Sequence, residues 1–313
     1  MATVQTATGP VDEDRLGFTL SHEHIIVGSA GVRETYPFLF DMPRTRERVI
    51  GELSEAKAGG VDTIIDATAM DLSRDVDFVA DVSRASGVQV VVATGLWRDI
   101  PRFFWERDPD FTADVFIHEI REGMGPKRIK AGVIKVANDQ EGVTPQAELV
   151  LRAAARACKA TGVPITTHQW APTQVGRRQL EIFLDEHVDM SRVCIGHSAD
   201  TTDVDYLEGL LKQGVYLSMD RYPTRPGMPG WQERNATVKA LIERGWADRL
   251  MVGHDYAPAP YLADGSGPEP ERPTRYLFVS TTALPALRAD GVDEATIRKM
   301  TVDNPRRFLA GGH

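Results

Sequence analysis

Cysteine is nearly absent from this 313-residue chain, which has two, Cys158 and Cys194. Two thiols cannot build a disulfide framework, and both lie in apolar segments, so free thiols in a reducing cytoplasm are expected. An excess of basic charge is also missing. Lys and Arg number 36 against 45 Asp and Glu, a formal net charge of −9. Such a field repels phosphate backbones and anionic lipid, which argues against nucleic-acid and membrane partners. No apolar run approaches the roughly 20 residues of a membrane span. The opening stretch MATVQTATGPVDEDRLG carries neither the basic head nor the apolar core of a secretory signal. Internal repeats, low-complexity tracts and a Gly-rich phosphate turn are lacking too, and the last of these disfavours a doubly wound dinucleotide fold.

What is present is ordinary in bulk and regular in pattern. Hydrophobic residues make up 42% and charged residues 26%, enough to bury a core in a soluble globular protein, and the length suits one domain over 1–313. Eight short apolar runs recur: FTLSHEHI (18–25), DTIIDAT (62–68), QVVVATG (89–95), AGVIKVA (131–137), PITTHQ (164–169), VCIGHS (193–198), VYLSMDR (215–221) and LMVGHD (250–255). Their length, β-branched content and flanking Gly or Pro read as buried parallel strands. Segments of helical period lie between them, among them TRERVIGELSEAKAGG (45–60) and AELVLRAAARACKATG (147–162), the latter stopping at Gly162 with Pro164 beyond. Two short helices are expected near 293–300 and 304–309. Eight strands alternating with helices predict a (β/α)8 barrel, with an open doubly wound sheet as the alternative.

In such a barrel chemistry is done at the C-terminal ends of strands. Those ends carry His22 and His24, Lys135, His168, His197 and Asp255. Strand side chains alternate, so His22 and His24 share one face while Glu23 points away. Imidazoles with a carboxylate suit divalent transition metals; the plainer alternative is a set of structural histidines in a metal-free barrel. The remaining histidines, His118, His187, His254 and His313, fit less well. Lys135 lies among Val133, Ile134, Val136 and Ala137. Burial would favour its neutral amine, which can add CO2 to form a carbamate, although a snorkelling side chain is the alternative.

The stretches GFTLSHEHI, ATGLW, AGVIKVA, ELVLRAAARACKATGVPITTH, RVCIGHSADTTD, LSMDRY, GHDY and DNPRRFL together resemble the phosphotriesterase family of the amidohydrolase superfamily, over nearly the whole chain. The resemblance implies a (β/α)8 barrel with a binuclear metal centre. It implies that His22, His24 and Asp255 hold a buried ion and that His168 and His197 hold an exposed one. Carbamylated Lys135 and a hydroxide would bridge the two. Zinc is the first expectation for the metals, with iron, cobalt or manganese as alternatives. Asp255 would also accept the proton of the attacking water, and Asp200 would pass protons outward; its plainer role is a cap of the helix that follows, and the two can coexist. A homodimer is implied as well.

The same resemblance bears on substrate. The strand ending Met219-Asp220-Arg221-Tyr222, the HDY at 254–256, FIHEIREG (116–123) and RNATVKALIERG (234–245) are similar to the lactonase branch of the family. Ser29-Ala30-Gly31 and Trp97 are more similar to the triesterase branch. The expectation is a lactone hydrolase, with N-acyl-homoserine lactones as candidate substrates and with promiscuous organophosphate triesterase activity; the alternative is a genuine phosphotriesterase. Arg221, Trp97, Tyr222 and Tyr256 are the expected substrate-handling residues, Arg221 having a salt bridge to a nearby carboxylate as its alternative role. Phe103, Phe104, Trp105, Met228 and Trp231 are further candidates for an apolar wall. The loop 256–274, with five prolines, is expected to form its lip.

Overall fold

The computed structural model describes residues 2–260 and 274–311. The chain opens with an antiparallel hairpin, β1 (Thr3–Thr6) and β2 (Gly9–Asp12), which the sequence reading did not anticipate. The remaining strands are β3 (Thr19–Glu23), β4 (Ile26–Val27), β5 (Thr63–Asp66), β6 (Gln89–Gly95), β7 (Val133–Ala137), β8 (Ile165–His168), β9 (Val193–Ile195), β10 (Tyr216–Met219), β11 (Leu250–Val252) and β12 (Ala259–Pro260).

Eight of these form one parallel sheet in the order β3-β5-β6-β7-β8-β9-β10-β11. Every neighbour in that order is the next long apolar run in sequence, as right-handed βαβ crossovers require. The turn after β11 returns to β3: Asp255 N donates to His22 O at 2.9 Å and Ser21 Oγ to Val252 O at 2.9 Å. The sheet thus curls into a nearly closed (β/α)8 barrel. The two-residue strands β4 and β12 pair separately, in parallel.

Period-2 alternation divides the core. Ile65, Val91, Ala93, Val133, Cys194 and Met251 belong to an inner cluster that Val4, Leu16, Phe308 and Leu309 complete. Their strand neighbours Ile64, Val90, Val92, Ile134, Val136 and Ile195 pack outward with the helices. Lys135 follows Val133 by two residues and so shares the inner face. Strands approach closely at two glycines. A Cβ on Gly95 (φ +108) would sit 2.0 Å from Lys135 O, and one on Gly196 would sit 2.1 Å from Thr167 O and 3.0 Å from His22 Nδ1. Any larger residue at either place would displace a strand end that carries a candidate ligand.

The helices end where local chemistry predicts. Asp41, Asp75, Asp108, Thr144 and Asp203 cap N-termini by accepting from the backbone, and Gly87 and Gly162 close helices in the left-handed conformation. The helix Val76–Ser86 had not been singled out in the sequence. The helix Trp231–Glu243 opens where the Glu233 carboxylate accepts from Gly230 N at 2.8 Å. Glu294–Arg298 and Asn304–Ala310 are joined by a π-helical turn, Lys299–Asp303. Among the described residues no helix is long and apolar enough to cross a membrane.

Candidate active site

The C-terminal ends of β3, β7, β8, β9 and β11 bring His22, His24, Lys135, His168, His197 and Asp255 to the floor of one cavity of about 410 Å³. Three residues close to it, His197 (φ 54), Arg221 (φ 65) and Asp255 (φ 52), hold left-handed backbone conformations without being glycine. Such conformations cost of order 1–3 kcal/mol each and persist where the surroundings over-determine them.

The hydrogen bonds of His24 and His197 indicate which of their ring nitrogens carry protons. Thr68 Oγ1 donates to Asp66 Oδ1 at 2.5 Å, so it accepts from His24 Nδ1 at 2.9 Å. In the neutral ring this leaves the His24 Nε2 lone pair facing Asp255 Oδ1 at 3.1 Å. His197 Nδ1 lies 2.8 Å from Asp220 Oδ1, a carboxylate that can only accept, so the His197 lone pair is on Nε2. Trp97 Nε1, which can only donate, points to His168 Nδ1 at 3.4 Å, and His168 Nε2 lies 3.3 Å from Asp139 Oδ2. His168 Nδ1 in turn faces His197 Nε2 at 3.1 Å. At His24 and Asp255 acceptor thus meets acceptor, an arrangement that a cation between them would stabilise. His22 Nε2 is 2.8 Å from Lys135 Nζ and 4.0 Å from Asp255 Oδ1. The trio His22, His24 and Asp255 is compact enough to hold a metal ion, as is His22, His197 and Asp220.

Electrostatics point the same way. Burial pushes the His22 ring down to about 4, with Lys135 adding to the effect, and the His168 ring down to about 3. Burial and Arg221 hold His197 well below the usual imidazole range. Neutral rings are the ligand form. Burial also lowers the Lys135 amine to about 7, against the opposing pull of Asp255 and Asp220. For Asp255, burial raises the carboxyl, but Arg225, His197, the His24 bond and Arg221 more than reverse this and hold it well below the usual carboxylate range.

Arg221 spans two carboxylates. Its Nη1 donates to Asp200 Oδ2 at 2.6 Å and its Nε to Asp255 Oδ2 at 3.0 Å. Asp200 is not the helix cap; Asp203 takes that place by accepting from Tyr206 N. The other Asp200 oxygen accepts from the fully buried Arg234 at 2.9 Å. Burial raises the Asp200 carboxyl despite both guanidiniums.

Trp97, Met228 and Tyr256 line the cavity with Val27, Leu72, Trp170 and Pro226, while Arg48, Arg98, Arg221 and Arg225 bring positive charge to it. The Tyr256 hydroxyl is engaged by Glu52 Oε2 at 2.9 Å. Tyr222, expected at the substrate wall, is not among the lining residues. Its hydroxyl donates to Asn235 Oδ1 at 2.8 Å and its ring stacks on Phe278, because the left-handed turn at Arg221 (φ 65), beyond the end of β10, directs the next residue toward the helices. Phe103 and Trp105 are exposed, Phe104 is buried away from the cavity, and Trp231 packs on Phe278; none of the four lines it. Most of the expected lip loop 256–274 lies outside the described residues.

Several residues at the site escaped sequence reasoning. Asp220 orients His197 and sits 3.3 Å from His22 Nδ1. Its only sequence signal was a carboxylate at a strand end, beside Arg221. Asp139 backs His168, and Asp71 accepts from Trp97 N with both oxygens, at 2.8 and 3.0 Å. Glu23 turns away from the cavity and accepts from His254 N at 2.7 Å, His254 Nδ1 at 2.8 Å and Tyr256 N at 3.0 Å, bracketing Asp255.

The sequence profile of the phosphotriesterase family matches residues 2–309. A phosphotriesterase homology protein of Mycobacterium tuberculosis is 40% identical over 322 residues, covering 99% of this chain and 98% of that protein. An aryldialkylphosphatase of Saccharolobus solfataricus is 35% identical over 308 residues, covering 96% and 97%. A solved structure of the phosphotriesterase from Mycobacterium tuberculosis superposes with a TM-score of 0.92 at 39% identity, over 99% of this chain and 100% of that one. Matched along its length in sequence and fold, and with its polar strand ends gathered under one cavity, the chain belongs to the phosphotriesterase family and is a hydrolase acting on ester bonds.

Proposed function

We propose that this hydrolase opens lactones, N-acyl-homoserine lactones among them, and cleaves organophosphate triesters more slowly. The observation that carries the reading is the close approach of ligand-type atoms, His24 Nε2 to Asp255 Oδ1 and His168 Nδ1 to His197 Nε2, each at 3.1 Å, beneath a largely apolar cavity wall. His22, His24 and Asp255 would hold one divalent cation, His168 and His197 a second, and a carbamate on Lys135 would serve both. Zinc is the first choice, with iron, cobalt or manganese as alternatives. When bound, such ions supply Lewis acidity and a water ionised near neutral pH.

The chain's own residues supply the rest. Asp255 accepts the proton of the attacking water, and Arg221 with Asp200 connects it to the helix layer. A lactone releases an alkoxide, which must be protonated as the bond breaks, whereas an aryl leaving group departs as an anion. A carboxylate that stores and returns a proton therefore matters more for lactones. Trp97, Trp170, Leu72 and Met228 form an apolar surface for an acyl tail. The strand ending Asp220-Arg221-Tyr222 supports the same choice by its similarity to the lactonase branch.

The second reading, a genuine phosphotriesterase, is favoured by Trp97 and by the name of the Saccharolobus relative. Steady-state kinetics on aliphatic lactones and a paraoxon-type triester separate the two. If kcat/KM for every lactone lies far below that for the triester, the lactone assignment is wrong. A homodimer is supported by exposed Tyr36, Phe38, Leu39, Phe103, Trp105 and Phe111, which a second copy would cover. Sedimentation equilibrium tests it.

A further inference from the structure

The loop 222–230 after β10 brings Arg225, Pro226 and Met228 to the cavity wall. One nitrogen of Arg225, Nη2, donates to the backbone oxygen of Asp255 at 2.6 Å and to its Oδ2 at 2.7 Å. It thereby fixes the left-handed Asp255 by main chain and side chain at once, with Oδ1 turned to His24.

The rest of the guanidinium is uncommitted. Among the described residues nothing accepts from Arg225 Nε or Nη1, and the side chain is 27% exposed. The other arginines of the wall are occupied: Arg98 by Asp139 and Glu141, Arg221 by Asp200 and Asp255, and Arg48 by Glu52. The two carboxylates that line the cavity, Asp139 and Asp255, are both already held by arginine. An acidic chain of net charge −9 thus presents a cationic wall, at which Arg225 keeps two nitrogens, Nε and Nη1, without an acceptor among the described residues. A guanidinium keeps its charge at any working pH and holds its N–H groups in a fixed plane. Pro226 restricts the adjoining backbone and so lowers the ordering cost of using them.

We infer that Arg225 is a specificity-determining residue, which fixes Asp255 with one nitrogen and takes an anionic substituent of the substrate with the others. Esters and lactones that carry a carboxylate are then preferred over their neutral isosteres. The inference deepens the ester-hydrolase reading and rests on it.

The test compares mono-p-nitrophenyl glutarate with its uncharged terminal amide in the metal-loaded protein, its Arg225→Met variant and its Arg225→Lys variant. The wild-type protein should favour the charged ester by about tenfold or more in kcat/KM, mainly through KM, as a charge-assisted hydrogen bond in a partly dry cavity would give. Arg225→Met should bring the ratio near one, and Arg225→Lys should retain part of it. Loss of metal or of Asp255 geometry slows both esters and cancels in the ratio; metal content is measured alongside. A wild-type ratio near one, or an unchanged ratio in Arg225→Met, overturns the assignment. Should neither ester turn over, the ester-hydrolase reading is what fails. The calorimetric dissociation constants of the same two compounds then carry the same ratio and decide on Arg225 by themselves.

Discussion

His24 Nε2 and Asp255 Oδ1 face each other across 3.1 Å, and with the His24 proton directed at Thr68 neither the neutral ring nor the carboxylate has a hydrogen to give there. A cation between them relieves the repulsion. The protein should therefore purify with about two divalent ions per chain, and dialysis against a chelator should abolish activity and lower Tm. Elemental analysis with a melting curve before and after chelation is the check. Stoichiometry near zero with activity indifferent to chelator would show that the histidines are structural.

Lys135 sits on the inner face of β7 with its amine lowered by burial to about 7. Its neutral form is therefore well populated at the pH where CO2 adds. Lys135→Ala should lose metal and activity together, by at least about 100-fold, and acetate or propionate should restore part of both. Metal content and kcat/KM measured with and without the acid test the role. Full activity in the unsupplemented variant would remove Lys135 from the centre.

Arg234 is fully buried and donates to Asp200 Oδ1 at 2.9 Å, Asp220 O at 2.9 Å and Pro229 O at 3.0 Å. Arg234→Met leaves these acceptors short of donors inside the protein. Breaking a buried ion pair from one side costs about 3–5 kcal/mol. Urea denaturation should show a loss of that size. A change below about 1 kcal/mol, the range of a surface ion pair, would mean that solvent reaches this network.

Asp71 carries the clearest pH signature away from the candidate ligands. Burial pushes its carboxyl from 3.8 up to about 6, although the Trp97 N–H favours the anion. The charged form is thus disfavoured by folding. The stabilising contribution is complete below about pH 4 and is lost as pH rises through about 6, some two units or about 3 kcal/mol in all. Asp71→Asn should not show this loss, so the stability difference between variant and wild type should shift in favour of the variant between pH 4 and 7. Denaturation at a series of pH values measures it. A parallel pH dependence in the two proteins would rule the assignment out.

Much of the barrel was readable from the chain because parallel strands buried on both faces must be short, apolar and β-branched, and their helices must carry an apolar stripe. The His22–Glu23–His24 alternation likewise follows from the two-residue period of a strand. The hairpin Thr3–Asp12 was not readable: it is half exposed, and its strands, TVQT and GPVD, carry no continuous apolar run. Tyr222 shows where a motif misleads. Its neighbour Arg221 faces the cavity, and the left-handed turn there, past the end of the strand, sends the tyrosine to Asn235.

What the order of residues determined by itself is therefore periodic and local: which segments are strands, which faces are apolar, and which strand ends carry imidazole, amine or carboxylate. What only the folded chain decided is pairing at a distance. Arg225 on Asp255, Arg234 on Asp200, Asp220 between His22 and His197, and Glu23 around the Asp255 backbone each join residues that no local pattern connects. Such partners are set by barrel closure and loop path, because a buried charge takes whichever complement the three-dimensional packing leaves within reach.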